Sequence, residues 1–392
     1  MSPAAFGNLS GEWNKRFRLK MLSKFLLNQI ACFLLIPFLL NSKSSDDLVL
    51  EHADQNTNEY QAGNLVTEFS GRVRFKYQKA RLDCNKAIYF SGREYYEFSP
   101  LVRITTATQT LQAEKMIYQK TAKSLEAMKN LIFHDKNNHF IITGEHATYL
   151  RELEYGLIDQ KPVMIKTLKN KDTLTITGKT VEYFAKQKTT VVRGEVMIQK
   201  KSVVAHCDSV TYFAAAERFV LKGHPQVQYQ KHHLKGDTIE LRMDEEVLQQ
   251  IVVIHNGEGR YFETDSLTRE TLSITKLFGD TMLVFFKADT VDKIFLFQNA
   301  TGWYFKPADG EDQMNTVKGK ILRLFTKHQE VDYLKAEGEA SGTYFNHGKT
   351  ADENGKNEVS GDTLMFYLKN GKMRSVEVIG GTEGTYYPQG TY

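Results

Sequence analysis

Proline is scarce in this sequence, seven residues in 392, whereas tyrosine and phenylalanine reach 19 and 24. The aromatics are strung along β-branched runs, a combination that favours strands over helices. An excess of one charge is also missing from most of the chain. Lys15, Arg16, Arg18, Lys20, Lys24 and Lys43 stand against Glu12 alone, so residues 1–44 carry +5 of a formal net +4 and the remainder carries −1. A near-neutral body excludes nucleic acid as a partner, because phosphate-backbone binding needs clustered, unbalanced cations. With 41% hydrophobic and 25% charged residues the chain is neither disordered nor a polytopic membrane protein. The signatures of catalysis are absent too. The eleven histidines form no H-E-x-x-H, and His232 and His233, being adjacent, point to opposite strand faces. There is no G-x-S-x-G and no P-loop, and the doublet Gly380/Gly381 with Gly384 opens no helix. The expectation is no enzyme, no metal and no cofactor.

Only one long hydrophobic run occurs, Phe25 to Leu40, interrupted by Asn28 and Gln29 and followed by NSKSSDD. The basic stretch, apolar run and polar exit have the order of a secretory signal, and sixteen residues fall short of the ~20 a stable span needs. Ser42 and Ser44 supply small residues for cleavage, yet nothing matches A-x-A, so an uncleaved membrane anchor through residues 25–40 is the alternative. Residues 1–44 are read as signal peptide or anchor, and the body as exported. Of the three cysteines, Cys32 lies in the apolar run. Cys84 and Cys207 hold the same place in a repeat whose other copies carry Gly or Ala, which favours two small buried residues over a disulfide.

That repeat is the strongest signal present. A motif small-x-x-apolar-x-apolar begins nine times, at Cys84, Ala113, Gly144, Gly178, Cys207, Gly236, Gly279, Gly319 and Gly361. Its apolar places are Ala87/Tyr89, Met116/Tyr118, Ala147/Tyr149, Val181/Tyr183, Val210/Tyr212, Ile239/Leu241, Met282/Val284, Leu322/Leu324 and Leu364/Phe366. Residues i and i+2 share a strand face, so nine strands with one buried face are expected. Polar turns such as SGRE, KTAK and KQKT follow the motifs, and a second alternating run follows each turn, as in VRITT, LIFHD and VVRGEVMIQ. Each unit is therefore a strand pair. The helix-friendly stretch LQAEKMIYQKTAKSLEAMKNL is assigned to strand because Met116 and Tyr118 keep the alternation. Copies are spaced 29, 31, 34, 29 and 29 residues apart, then 43, 40 and 42. The change suggests a first repeat region over 45–235 and a second over 236–392, whose Gly-rich ends NGEGR, NATGW, AEGEASG and GGTEG read as turns. The Asp at Asp208, Asp237, Asp280 and Asp362 recurs in register, which marks turn chemistry or an outer polar ladder rather than a unique catalytic carboxylate.

The GDT-led strands, the Tyr at the fifth place and the following G-x-V-x-I strand (Gly194, Val196, Ile198; more loosely Gly223, Pro225, Val227) resemble the OstA-like family, whose relatives include the LptA-type lipopolysaccharide-transport proteins and the periplasmic part of LptD. The resemblance covers about residues 60–385. It implies an elongated, open, repetitive antiparallel β-jellyroll, all-β, with about nine two-stranded repeats. It further implies a periplasmic protein, inner-membrane anchored or outer-membrane associated. The implied ligand is lipopolysaccharide, with its lipid A acyl chains in an apolar groove lined by Ala87, Tyr89, Met116, Tyr118, Ala147, Tyr149, Val181, Tyr183, Val210, Tyr212, Ile239 and Leu241. The implied partners are other Lpt-type β-jellyrolls, joined by end-to-end strand stacking. The chain departs from the small bridge proteins in its length and in its wider spacing after Gly236. The competing reading is a structural scaffold or adhesin of the cell envelope, a β-solenoid with a closed core and no lipid.

Overall fold

The computed structural model describes residues 48–391 apart from 137–138, 168–172, 201–202, 230–231, 245–246, 265–267, 269, 288–289, 308–312, 328–329, 347–353 and 370–371. The expected signal or anchor in residues 1–44 lies outside the described residues. Among those described there are 28 strands and two short 3-10 turns, with no α-helix and hence none long and apolar enough to cross a membrane. The stretch with helix-friendly composition is strand, as Gln109–Ala113, Lys115–Gln119 and Ser124–Asp135, with the KTAK turn between the last two. The chain divides into two compact units at Tyr261/Phe262.

In the first unit the chain runs up and down as antiparallel rungs, each bent once near its middle. Asn64–Tyr77 pairs with Ala80–Phe90, which pairs in turn with Tyr95–Ser99 through its second half and Val102–Thr105 through its first. The same pattern continues through Phe140–Leu150, Thr189–Lys200 and Val203–Phe213. All nine motif copies fall on alternate rungs, six of those rungs being one continuous strand with the corner passing as a bulge and three of them two short strands. The two-stranded repeat is thus a pair of bent rungs. A rung counts as one strand or two according to whether the ladder survives the bend.

The bend explains the motif. On the rung opposite the copy, two consecutive residues adopt the left-handed conformation, as at Lys129/Asn130, Gln160/Lys161, Gly194/Glu195, His255/Asn256 and, in the second unit, Gly338/Glu339, while opposite Cys84 only Leu101 does. The second motif residue donates its backbone N–H into that corner, Glu114 to Lys129 O at 3.0 Å, Lys179 to Arg193 O at 2.8 Å and Asp362 to Gly380 O at 2.8 Å. The first motif residue must be small because it sits inside the corner: a Cβ on Gly361 would lie 2.8 Å from Gly380 O. Cys84 and Cys207 occupy this place as free, buried thiols. The recurring Asp belongs to the same corner, with Asn256 Nδ2 donating to Asp237 Oδ2 at 3.0 Å. A tenth copy, beginning at Ala53, escapes the sequence pattern because its third and fifth places are Asn56 and Asn58. Its Asp54 N–H still donates to Gly71 O at 2.9 Å.

The second unit, Phe262 onward, repeats the scheme with longer strands, including Thr271–Lys287, Thr290–Phe305, Asn315–Lys327, Glu330–Asn346 and Gly355–Lys369. The four Gly-rich segments read as turns do not reverse the chain. NGEGR, NATGW and AEGEASG are the corners of Val247–Thr264, Thr290–Phe305 and Glu330–Asn346, and GGTEG is the corner between Lys372–Ile379 and Glu383–Pro388, which both run antiparallel to Gly355–Lys369. Glycine there serves the bend, which keeps the strand running.

Candidate functional site

Bending every rung at the same place folds the first unit's sheet into two arms joined along a seam of corners. One arm, the motif arm, presents the third and fifth motif places inward; the facing arm presents the residues just before the motif. Ala87, Met116, Val181, Tyr183, Val210, Tyr212, Ile239 and Leu241 are buried, and Tyr89, Tyr118, Ala147 and Tyr149 are half-buried. Side-chain alternation thus places all twelve expected residues on one inner face. The facing arm, which the sequence pattern did not single out, contributes Phe75, Leu82, Ile104, Leu131, Phe133, Phe140, Ile142, Met164, Ile176 and Leu234, all buried. The signal for these lay in the alternating run after each polar turn and in the residues two and four before each motif start.

The inner faces touch through aromatic rings. Phe75 meets Phe69, Tyr96 and Phe98 edge-on at 5.6, 5.8 and 5.7 Å, Tyr89 stacks on Tyr96 at 4.5 Å, and Tyr212 stacks on Phe219 at 4.2 Å. Two cavities remain between the arms. One, of about 50 Å3, is lined from both arms by Met164, Ile176, Ile198, Val227, Thr190, Tyr212, Leu221 and Leu241 among others. The other, of about 60 Å3, lies toward the hairpin turns, between Tyr77, Leu82 and Ile104 on one side and Tyr118, Leu125, Tyr149, Lys123 and Arg151 on the other. Both are small against the roughly 300–1,000 Å3 of a typical ligand pocket.

The fifth motif place is the inner position nearest the hairpin turns, so the tyrosines there stand at the mouth between the arms. Burial, reinforced by the charge of Glu154, pushes the Tyr149 and Tyr183 phenols up, so both stay neutral. Across the mouth Arg151 Nη1 donates to Tyr77 Oη at 2.6 Å, and Tyr77 lies 6.1 Å from the Tyr118 ring. On the outer face His146 sits between Asp159 at 2.6 Å and Glu126 at 2.9 Å. Burial acts to lower the His146 pKa, but the two carboxylates outweigh it and raise the value above 6.5. Burial also pushes the thiols of Cys84 and Cys207 up to about 12, far from a reactive thiolate. Among the described residues no group of three or more His, Cys, Asp or Glu is placed to hold a metal ion. What the arrangement offers is an apolar slot with neutral hydroxyls and a few cations along its mouth.

Two family models match the chain: OstA-like protein over residues 45–158, and LptA/(LptD N-terminal domain) LPS transport protein over residues 102–247. These describe transport proteins, not enzymes. Among solved structures, LptH from Pseudomonas aeruginosa, described as the LptA-homologous periplasmic component of the lipopolysaccharide transport device, is similar at 13% identity. That match covers 39% of this chain and 96% of LptH, with a TM-score of 0.20. No curated protein matches.

Proposed function

Through residues 45–247 the chain belongs to the OstA-like family of LptA/LptD N-terminal lipopolysaccharide transport proteins, and from that premise we propose that its first unit holds lipid A acyl chains between its two arms. The observation that carries this reading is the pair of apolar inner faces, Val73 to Val253, with tyrosine hydroxyls only at the mouth. Each CH2 removed from water contributes about 0.8 kcal/mol. Much of that is offset, because the inner faces must exchange their contacts with one another for contacts with the chain. A small net gain per rung, nearly the same from rung to rung, suits a lipid that is held and passed on rather than stored.

The reading places the protein in the periplasm, with LPS as ligand and similar β-jellyrolls as partners. The ends support such partners. Val49–His52 and Gln55–Gln61 pair only with Asn64–Tyr77 among the described pairings, and Glu383–Pro388 only with Gly355–Lys369. Each leaves a row of backbone donors and acceptors for another strand. The second reading, a closed scaffold, is favoured by the small size of the two cavities. Mass spectrometry of lipid co-purifying with residues 45–392 from a Gram-negative periplasm separates them. LPS at stoichiometric levels is the expected outcome, and lipid-free protein that stays lipid-free on incubation with LPS would favour the scaffold.

A further inference from the structure

Thr190 breaks a pattern in the slot. On the first-unit rungs that carry the left-handed corner, the inner-face place paired with the fifth motif place is Leu125, Phe219 or Ile251 on three rungs, lying four before Lys129, Gly223 and His255, and Tyr96 or Gly156 on two others. Thr67 and Thr190 hold the same place before Gly71 and Gly194. Both threonines are 8% exposed. Thr67 is satisfied, its Oγ1 donating to Asn58 Oδ1 on the terminal strand at 2.8 Å. Thr190 instead lies in register between Tyr183 and Tyr212, and its buried Oγ1 has no hydrogen-bond partner. It lines the cavity of about 50 Å3, whose other walls, Met164, Ile176, Val192 and Leu241 among them, are apolar residues together with Tyr212. The fold does not require a hydroxyl here, since three rungs carry hydrocarbon at the same place, and a buried hydroxyl without a partner is destabilising.

We propose that Thr190 is the polar contact for an oxygen borne by the bound acyl chain, so that the slot selects hydroxylated acyl chains over plain ones. This rests on the reading above that acyl chains lie between the arms. The hydroxyl both donates and accepts, so a chain hydroxyl near it exchanges hydrogen bonds while the methylenes on either side pack against the apolar walls. The chain reaches it by parting the arms at the mouth, where the hairpin turns lie, while the seam of corners keeps them joined.

The test is displacement of a fluorescent fatty acid from the full-length chain by β-hydroxymyristate and by myristate. The wild type should prefer the hydroxylated acid about two- to tenfold, the range of one neutral hydrogen bond. Thr190→Val should bind both equally and melt no lower than wild type, and Thr190→Ser should restore the preference. Equal binding of the two acids by the wild type, or a preference that survives Thr190→Val, would overturn the inference and leave lipid binding standing. A wild type that binds neither acid would overturn both. Should Thr190→Val fail to fold, the wild-type preference together with Thr190→Ser still decides.

Discussion

The two units bend their rungs in the same way and fill the space between the arms differently. In the first, the facing arm places Phe75, Phe133 and Ile198 opposite Leu82, Ile142 and Ala205 in the ladder. The last rung of the first unit already has Gly259 at this place, opposite Leu234, and the matching ladder places in the second unit are Gly302, opposite Val317, and Gly342, opposite Val359. A Cβ on Gly342 would stand 2.9 Å from Phe366 Cζ on the motif arm, and one on Gly302 3.8 Å from Leu322 Cδ1. The arms of the second unit therefore approach across glycine, where those of the first, up to its last rung, are held apart by large side chains. The second unit keeps Phe286 and Phe366 inside but places other aromatics outside: Phe285, Phe295, Phe325 and Tyr333 form an outer ladder with centroids 5.3, 5.7 and 4.4 Å apart, covered in part by Lys293 and Arg323. The corner chemistry sets the repeat, and the residue three places beyond the corner sets how much room lies inside.

Removing a large inner side chain gives the largest expected effect. Phe98 is fully buried against Phe75 and Tyr96, so Phe98→Ala should destabilise the first unit by about 3–5 kcal/mol. Leu322→Ala should cost the second about 2–5 kcal/mol. Urea unfolding reports both, and equal losses of bound lipid in the two variants would break the distinction between the units. Filling the glycine is the sharper probe. Gly342→Ala should destabilise by about 1–3 kcal/mol through overpacking against Phe366, whereas Phe133→Leu, which removes volume where the arms stand apart, should leave the corners intact and lower lipid retention.

A pH effect of smaller size is expected in the first unit. Because the folded His146 pKa is raised above 6.5 by Glu126 and Asp159, its stabilisation is fully present below about pH 6.5 and is lost as pH rises through the folded value. His146→Gln should flatten thermal stability between about pH 5 and pH 8. Smallest is a labelling effect without a stability change. Cys84 and Cys207, held as thiols with pKa about 12, should resist iodoacetamide at neutral pH and become reactive only when the first unit opens. Rapid labelling of the native protein would contradict the packed corners.

Much of this was legible beforehand because strand alternation is local. The places from Ala87/Tyr89 to Leu364/Phe366 could be read as one face without knowing what they face. The small residue at the motif start was legible too, and so was the turn-like Asp. What stayed hidden was non-local. The facing arm meets the motif arm only after the rung bends, so Phe75 and Met164 look like ordinary alternating residues in the chain. NATGW and AEGEASG read as reversals because glycine and asparagine serve turns and mid-strand corners alike. The orphan hydroxyl of Thr190 depends on its neighbours across the ladder, which are Tyr183 and Tyr212 rather than an Asn58.

The central claim, acyl chains held between the arms of the first unit, is tested most directly by position-resolved photo-crosslinking in cells that make LPS. Crosslinkers would replace Tyr149 and Tyr183 at the first unit's mouth, Leu322 inside the second unit, and Phe295 on its outer ladder. The account predicts LPS adducts at Tyr149 and Tyr183 and none at Leu322 or Phe295. Silence at both tyrosines in folded protein, or adducts of equal yield at all four positions, would contradict it.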